Sequence, residues 1–185
     1  MGSPKALLRD GEGRTFIARL LRSFSDAGFP EATVVTGGLH AALVAAVAGD
    51  APPLTVTFAR NADPSRGQLS SLWVALDHAG RPGVEAILVT LVDVPFVSPA
   101  TIGRVVATWR QTHAPIVRPA SGDRHGHPVL FDRSVFAELR AAPLGEGAKA
   151  VVHAHASRVI NVAIQDEGAF VDIDTPEDYD AVGRW

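Results

Sequence analysis

The chain has 185 residues, 46% of them hydrophobic, with 17 basic and 20 acidic side chains and a net charge of -3. This suits one domain over residues 1–185 with a sizeable core, and no basic cluster is dense enough to call for nucleic acid or an anionic membrane. The absence of cysteine excludes disulfides, thiolate metal sites and cysteine nucleophiles, and the lack of a signal region or a bilayer-length apolar run points to a cytoplasmic protein.

The first residues, Met1-Gly2-Ser3-Pro4-Lys5-Ala6-Leu7-Leu8, form a turn carrying one of only two lysines, followed by an acidic and glycine-rich bend from Asp10 to Gly13. From Thr15, a fitting N-cap, the apolar positions Phe16, Ile17, Leu20, Leu21 and Phe24 recur at helical spacing until Gly28 stops them. Ala32 to Thr36 reads as a strand ending in Gly37-Gly38, Leu39 to Ala48 as a helix, and Leu54 to Phe58 as another strand. A polar loop from Asn61 to Gly67 leads into a helix from Leu69 to His78.

Leu88 to Phe96 reads L-V-T-L-V-D-V-P-F, an apolar run expected of a strand buried on both faces, with the lone charge Asp93 at its end and Pro95 as its stop. Then follow a helix from Pro99 to Gln111, a strand from Pro115 to Arg118, a turn over Gly122 to Gly126, and an apolar run from Pro128 to Phe131. A helix starts at Asp132 as N-cap, and the remainder alternates: helix near Gly147 to His155, strand near Arg158 to Ala163, a short run Phe170 to Ile173, and a last helix opened by Thr175-Pro176-Glu177-Asp178. Strands alternating with helices predict an α/β fold with a three-layer, doubly wound, mostly parallel sheet of Rossmann-like form.

Ligands of such sheets gather at the carboxyl ends of the strands, where Asp93 and Asp174 both fall, Asp172 lying two residues before the latter. Two carboxylates facing one another across a cleft would repel unless a divalent cation lay between them, and magnesium accepts such a small oxygen set alongside water and phosphates. Either aspartate could equally be a plain helix cap. Lys5 supplies a point charge of the kind that holds phosphates, and Ser70 and Ser71 stand at a helix start, where free N–H groups favour an anion or a polar base edge as much as an ordinary cap. His125-Gly126-His127 and His153-Ala154-His155 lack the further ligands zinc would need, so His153 and His155 are expected to be solvated. His127 sits between a turn and Pro128, where loops meet substrate. Asp172-Ile173-Asp174-Thr175 imitates the aspartyl-phosphate motif of haloacid-dehalogenase-like phosphatases, but it closes the chain instead of opening a domain.

Met1 to Leu8, Gly67 with Ser71-Leu72, Asp93-Val94-Pro95, Gly126-His127-Pro128-Val129-Leu130-Phe131 and Asp172-Ile173-Asp174-Thr175-Pro176-Glu177-Asp178-Tyr179 fall in one order. In that order the chain resembles the nucleoside-triphosphate transferases of the molybdenum cofactor cytidylyltransferase type, which have a nucleotide-diphospho-sugar transferase-like fold. The resemblance implies a nucleotidyltransferase in which the loop with Gly2, Ser3 and Lys5 wraps the triphosphate of CTP and Asp93 with Asp174 holds Mg2+. Thr36, Gly37, Ser70 and Ser71 would contact the nucleotide, and Gly126, His127 and Pro128 the phosphorylated acceptor, molybdopterin, with a molybdenum enzyme or its chaperone as the recipient. Another base or acceptor, or a non-catalytic domain, are the competing readings. The family's first strand and its L-A-A-G-x-S-x-R loop have no counterpart before Met1. The chain is therefore expected to be an N-terminally truncated form that binds triphosphate weakly and has a slot beside the Leu88–Phe96 strand.

Overall fold

The structure is a computed structural model and describes residues 4–50 and 53–181. Fourteen regular elements follow one another as α1 Phe16–Asp26, β1 Glu31–Thr36, α2 His40–Asp50, β2 Thr55–Arg60, α3 Gln68–Ala79, β3 Ala86–Val89, α4 Pro99–Thr112, β4 Ile116–Ser121, β5 Arg124–His125, β6 Val129–Asp132, α5 Phe136–Ala141, α6 Lys149–Ala154, β7 Val159–Ala163 and α7 Pro176–Asp180, with short 3-10 turns between them. Local chemistry accounts for the ends. Thr15 accepts a hydrogen bond from the Ala18 amide to cap α1, Ser98 caps α4 ahead of Pro99, and Thr175 and Asp178 form a reciprocal capping box at α7.

The strands form two sheets. β1 pairs with β2 in parallel, while the second sheet runs β3-β6-β4-β5 with β7 on β4. β4 and β7 pair in parallel, and β6 lies antiparallel between β3 and β4, which makes β3, β4 and β7 parallel to one another. Side chains alternate across the second sheet as the pleat requires. Ile87, Val89, Ile116, Phe131 and Val159 face α3, α5 and α6, whereas Val117, Leu130 and Val162 face α4. A further apolar cluster joins α1, α2 and the inward residues Ala32 and Val34 of β1. Helices thus cover both faces, as the alternating pattern predicts, and β6 and the two-residue β5 run antiparallel to the three parallel strands β3, β4 and β7.

Two strand boundaries differ from the sequence reading. β3 ends at Val89, because residues 90–96 bend into a turn closed by the Val94 amide on the Leu91 carbonyl and then reach Pro95, which has no amide to offer a ladder. The hydrophobicity of that run serves burial in a loop: Val94, Pro95, Phe96 and Val97 are buried, while the four residues of β3 are only half-buried. Phe170 to Ile173 forms no strand either: Phe170 closes a 3-10 turn through its amide on the Glu167 carbonyl, and the Ile173 amide donates to the Asp93 carbonyl. Among the described residues β1 bonds only β2 and β3 bonds only β6, so the strands fall into two separate sheets. Asp132 does cap a helical segment, but one 3-10 turn, Arg133–Val135, precedes α5.

Candidate active site

Lys5, Asp93 and Asp174 come from opposite ends of the chain, and a small apolar cluster explains how they meet. Phe16 at the start of α1 is fully buried against Phe96 and Ile173, with Leu8, Val92, Val171 and Tyr179 around it. The Phe16 ring meets Phe96 edge-on at 5.8 Å and Tyr179 at 6.1 Å between centroids. Leu8 follows the Lys5–Leu7 turn, Val92 and Phe96 flank Asp93, and Ile173 and Tyr179 flank Asp174, so burial of these neighbours on one phenylalanine draws the three polar residues together.

The segment after Lys5 is clamped by Asp10. Its carboxylate, nearly inaccessible, accepts hydrogen bonds from the Glu12 and Arg14 amides and pairs with Arg19 at 2.9 Å and Arg14 at 3.5 Å. Burial pushes this carboxyl upward, but the bonds from Arg19 and from the two amides outweigh it and leave the pKa below the ordinary aspartate value. Arg19 also stacks over Phe96 at 4.6 Å, and the Tyr179 hydroxyl donates to the Arg9 carbonyl at 2.9 Å.

On this floor the Lys5 ammonium bonds the Asp174 carboxylate and lies 3.6 Å from Asp93 Oδ2. The Asp174 bond first, and then the charges of Asp93 and Asp174, raise the Lys5 pKa despite partial desolvation. The expected meeting of the two aspartates therefore takes place, with the lysine rather than open space between them. Asp93 Oδ1 is buried without a hydrogen-bond partner. Asp172, an exposed residue, joins the group: partial desolvation, then the charge of Asp93, pushes its pKa up. Among the described residues no three His, Asp or Glu side chains converge as a metal-holding set, so a cation here would rest on a carboxylate pair and an orphaned oxygen. That donor set fits magnesium, which keeps water and phosphate oxygens in its shell.

A second cluster lies at the ends of β1 and β2. The Asn61 amide donates to the Thr36 carbonyl at 2.8 Å, and its side-chain Nδ2 donates to Ser70 Oγ at 2.8 Å and Ser71 Oγ at 3.0 Å. Ser70 is buried and gives its proton to the Gly67 carbonyl at 2.7 Å, and buried Thr36 bonds His40 Nδ1 at 2.8 Å. Ser70 and Thr36, expected to contact the nucleotide, are buried with their hydroxyls in internal bonds, while Ser71 and Gly37 are half-buried. Asn61 was overlooked in the sequence, although it opens the polar loop.

The Gly126-His127-Pro128 segment is packed by its backbone. A Cβ on Gly126 would stand 2.2 Å from the Ala169 carbonyl oxygen, and the His127 amide donates to that same oxygen at 2.8 Å. Gly126 and Pro128, expected to face the acceptor, are buried, and His127 between them is half-buried. Burial lowers the His127 pKa against the pull of the Val89 backbone, Asp172 and Asp93, and its Nδ1 is buried without a partner. His155, expected to be solvated, is half-buried and bonds Glu138 at 2.8 Å, while His153 is exposed. Gly2 and Ser3 lie outside the described residues.

A lysine and carboxylates gathered at the carboxyl end of a doubly wound sheet define a nucleotide-handling enzyme class. The MobA-like NTP transferase domain matches residues 1–159, and the chain belongs to that family of nucleotidyltransferases. It is 31% identical to nicotine blue oxidoreductase of Paenarthrobacter nicotinovorans, over 94% of this chain and 85% of that protein. The crystal structure of Rv0371c from Mycobacterium tuberculosis H37Rv superposes with a TM-score of 0.79 at 31% identity, covering 100% of this chain and 91% of that one. Its complex with manganese gives 0.77 at 32% identity, with 100% and 94% covered. No helix among the described residues is long and apolar enough to cross a membrane.

Proposed function

We propose that this nucleotidyltransferase moves CMP from CTP to the terminal phosphate of molybdopterin, with Asp93 and Asp174 holding a magnesium ion and Lys5 binding the triphosphate. The observation that carries the reading is Lys5 between Asp93 and Asp174, 3.6 Å from the former, with Asp93 Oδ1 left unpartnered. The cation would neutralise phosphate charge at the reacting phosphorus. Lys5 exchanges its carboxylate partners for phosphate oxygens as the nucleotide enters. Ser71 and Gly37 meet the nucleoside, and His127 faces the acceptor. An acceptor phosphate oxygen then bonds the α-phosphorus while the bond to the β-phosphate bridging oxygen breaks, and pyrophosphate leaves with that electron pair. In-line positioning and charge neutralisation, more than a protein base, carry such a step. The product would pass to a molybdenum enzyme or its chaperone.

The manganese complex of the mycobacterial structure supports a divalent ion at this fold. The test is a thermal melt with magnesium alone, Mg-CTP and Mg-GTP, followed by pyrophosphate release with molybdopterin. A ligand bound only by the folded state adds about 2.7 kcal/mol at a hundredfold excess over its Kd. Selective stabilisation by Mg-CTP supports the reading, and a melt that neither nucleotide moves defeats it. The identity to a protein named nicotine blue oxidoreductase favours a second reading, a redox activity. Bleaching of nicotine blue by the protein with a reduced nicotinamide, without pyrophosphate release, would select it.

A further inference from the structure

A single carboxylate serves two helical starts at once. Asp166, half-buried in the loop after β7, caps its own 3-10 turn, Glu167–Ala169, by accepting the Gly168 amide on Oδ1 at 3.2 Å. Its Oδ2 reaches the start of α4, where it accepts the Ser98 amide at 2.9 Å and the hydroxyl of buried Thr101 at 2.7 Å. An ionised carboxylate has the acceptor capacity for all three bonds, and a charged acceptor makes each of them stronger. Helix α4 does not depend on this for its cap, because the Ser98 hydroxyl already accepts the Thr101 amide. The bonds of Asp166 therefore serve the joint between the two segments.

The turn that Asp166 opens touches each segment of the reaction centre. Gly168 lies directly against the loop after Asp93, where a Cβ would stand 2.1 Å from the Phe96 carbonyl oxygen. The Ala169 carbonyl accepts the His127 amide at 2.8 Å and abuts Gly126. Glu167 takes two bonds from Arg124, at 2.7 and 2.8 Å, and Arg124 lies over Phe170 at 5.0 Å. Past Phe170 the chain runs on into Asp172 and Asp174, with the Ile173 amide on the Asp93 carbonyl at 2.8 Å. Asp93, His127 and Asp174 thus stand on three separate segments; the turn is bonded to the first two and continuous with the third.

We propose that Asp166 is a positioning residue for the transfer reaction: by fixing the Glu167–Ala169 turn against α4, it sets Asp93, His127 and Asp174 at their working separations. The role rests on the nucleotidyl-transfer reading, since that is the reaction these three side chains align. Asp166 reaches the substrates only through them. Without its bonds the turn is free to shift against α4, and the two carboxylates no longer meet a cation at one fixed spacing. A misplacement of about 1 Å at a reacting centre costs on the order of 100-fold in rate. The cluster of Thr36, Asn61 and Ser70 shares no hydrogen bond with this turn among the described residues, so the nucleoside end keeps its shape.

The test is amide hydrogen exchange by NMR in the full chain without metal or nucleotide, beside an electron paramagnetic titration of Mn2+ and steady-state kinetics with CTP. In Asp166→Asn the exchange of the Ile173 and His127 amides should quicken at least tenfold more than that of the Arg19 amide, which is bonded to the Thr15 carbonyl within α1. Mn2+ should bind about tenfold more weakly, the scale of losing an outer partner of a metal ligand, and kcat should fall while KM for CTP barely moves. Thr101→Val, which removes one bond to Asp166, should show the same changes in smaller measure and serves if Asp166→Asn does not fold; Thr101→Ser, which keeps the hydroxyl, should restore the parent's behaviour. Val151→Ala, in the core cluster of α3, α5 and α6, should lower Tm without these changes. Equal quickening at Ile173, His127 and Arg19, unchanged Mn2+ affinity, or the same losses in Val151→Ala overturns the proposal. The expected exchange and Mn2+ results in a protein whose parent releases no pyrophosphate defeat the nucleotidyl-transfer reading and leave Asp166 as the residue that aligns the carboxylates.

Discussion

The backbone amide of Ile173 donates to the carbonyl of Asp93 at 2.8 Å. This bond, between segments 80 positions apart (173 minus 93), sets Asp172 and Asp174 on either side of a residue registered against Asp93. The carboxylates share a site because the backbone that carries them is laced together, and Ile173, almost wholly buried, holds the lacing from below.

Replacing Asp93 or Asp174 with Asn should abolish the Mg-CTP stabilisation and lower nucleotidyl transfer by on the order of 100-fold or more, the scale of losing one charge-stabilising group at a reacting centre. Melting curves without ligand should show both variants folded. Wild-type turnover by either variant would remove that aspartate from the site.

Lys5 bonds Asp174 and lies 3.6 Å from Asp93, where it offsets part of their charge. Lys5→Met should therefore bind Mn2+ alone more tightly, by on the order of tenfold, because the cation no longer competes with an ammonium for the same oxygens, while binding of the nucleotide weakens. Electron paramagnetic titration of free Mn2+ measures the first effect and a melt with Mg-CTP the second. Weaker Mn2+ binding in the variant would contradict the competition.

The Asp172 carboxyl, though at an exposed residue, is held above its ordinary pKa by partial desolvation and by the charge of Asp93. A raised carboxylate pKa means that the folded state binds protons more readily than the unfolded one, so ionised Asp172 costs stability once the pH exceeds its folded pKa. Asp172→Asn should raise Tm at pH 7, and the gain should vanish as the pH falls toward the unfolded value near 3.8. Equal melting temperatures at pH 7 would refute this.

For Asp10 the sign reverses. Its folded pKa is lowered, so its contribution is present above the unfolded value and is lost as pH falls through 3.8 and below. Asp10→Asn, which leaves Arg14 and Arg19 without their anion, should cost about 3–5 kcal/mol at pH 7. The difference between variant and parent in urea unfolding should shrink from pH 6 to pH 3; a constant difference would show that the charge is not what stabilises the turn.

A Cβ on Gly168 would stand 2.1 Å from the Phe96 carbonyl oxygen, a backbone atom that cannot swing away. Gly168→Ala should therefore destabilise the fold by about 1–3 kcal/mol, read as a fall in Tm of about 2–4 °C per kcal/mol for a domain of this size. An unchanged Tm would mean that the loop after Asp93 yields easily.

Local chemistry alone determined much of this protein. Thr15 and Ser98 as caps, Gly28 as a stop, and the 3.6-residue rhythm of α1 are properties of adjacent residues, and so is the helix–strand alternation. Other features depended on residues distant in the chain. Residues 90–96 and 170–173 are as apolar as strands, yet no neighbour offers them a ladder, and hydrophobicity cannot distinguish a buried loop from a buried strand. The antiparallel place of β6 and the burial of Ser70 and Thr36 behind Asn61 likewise follow from which segments pack side by side. A sequence records each residue's chemistry, but the desolvation and fields that set its protonation and partners come from atoms brought near only by folding.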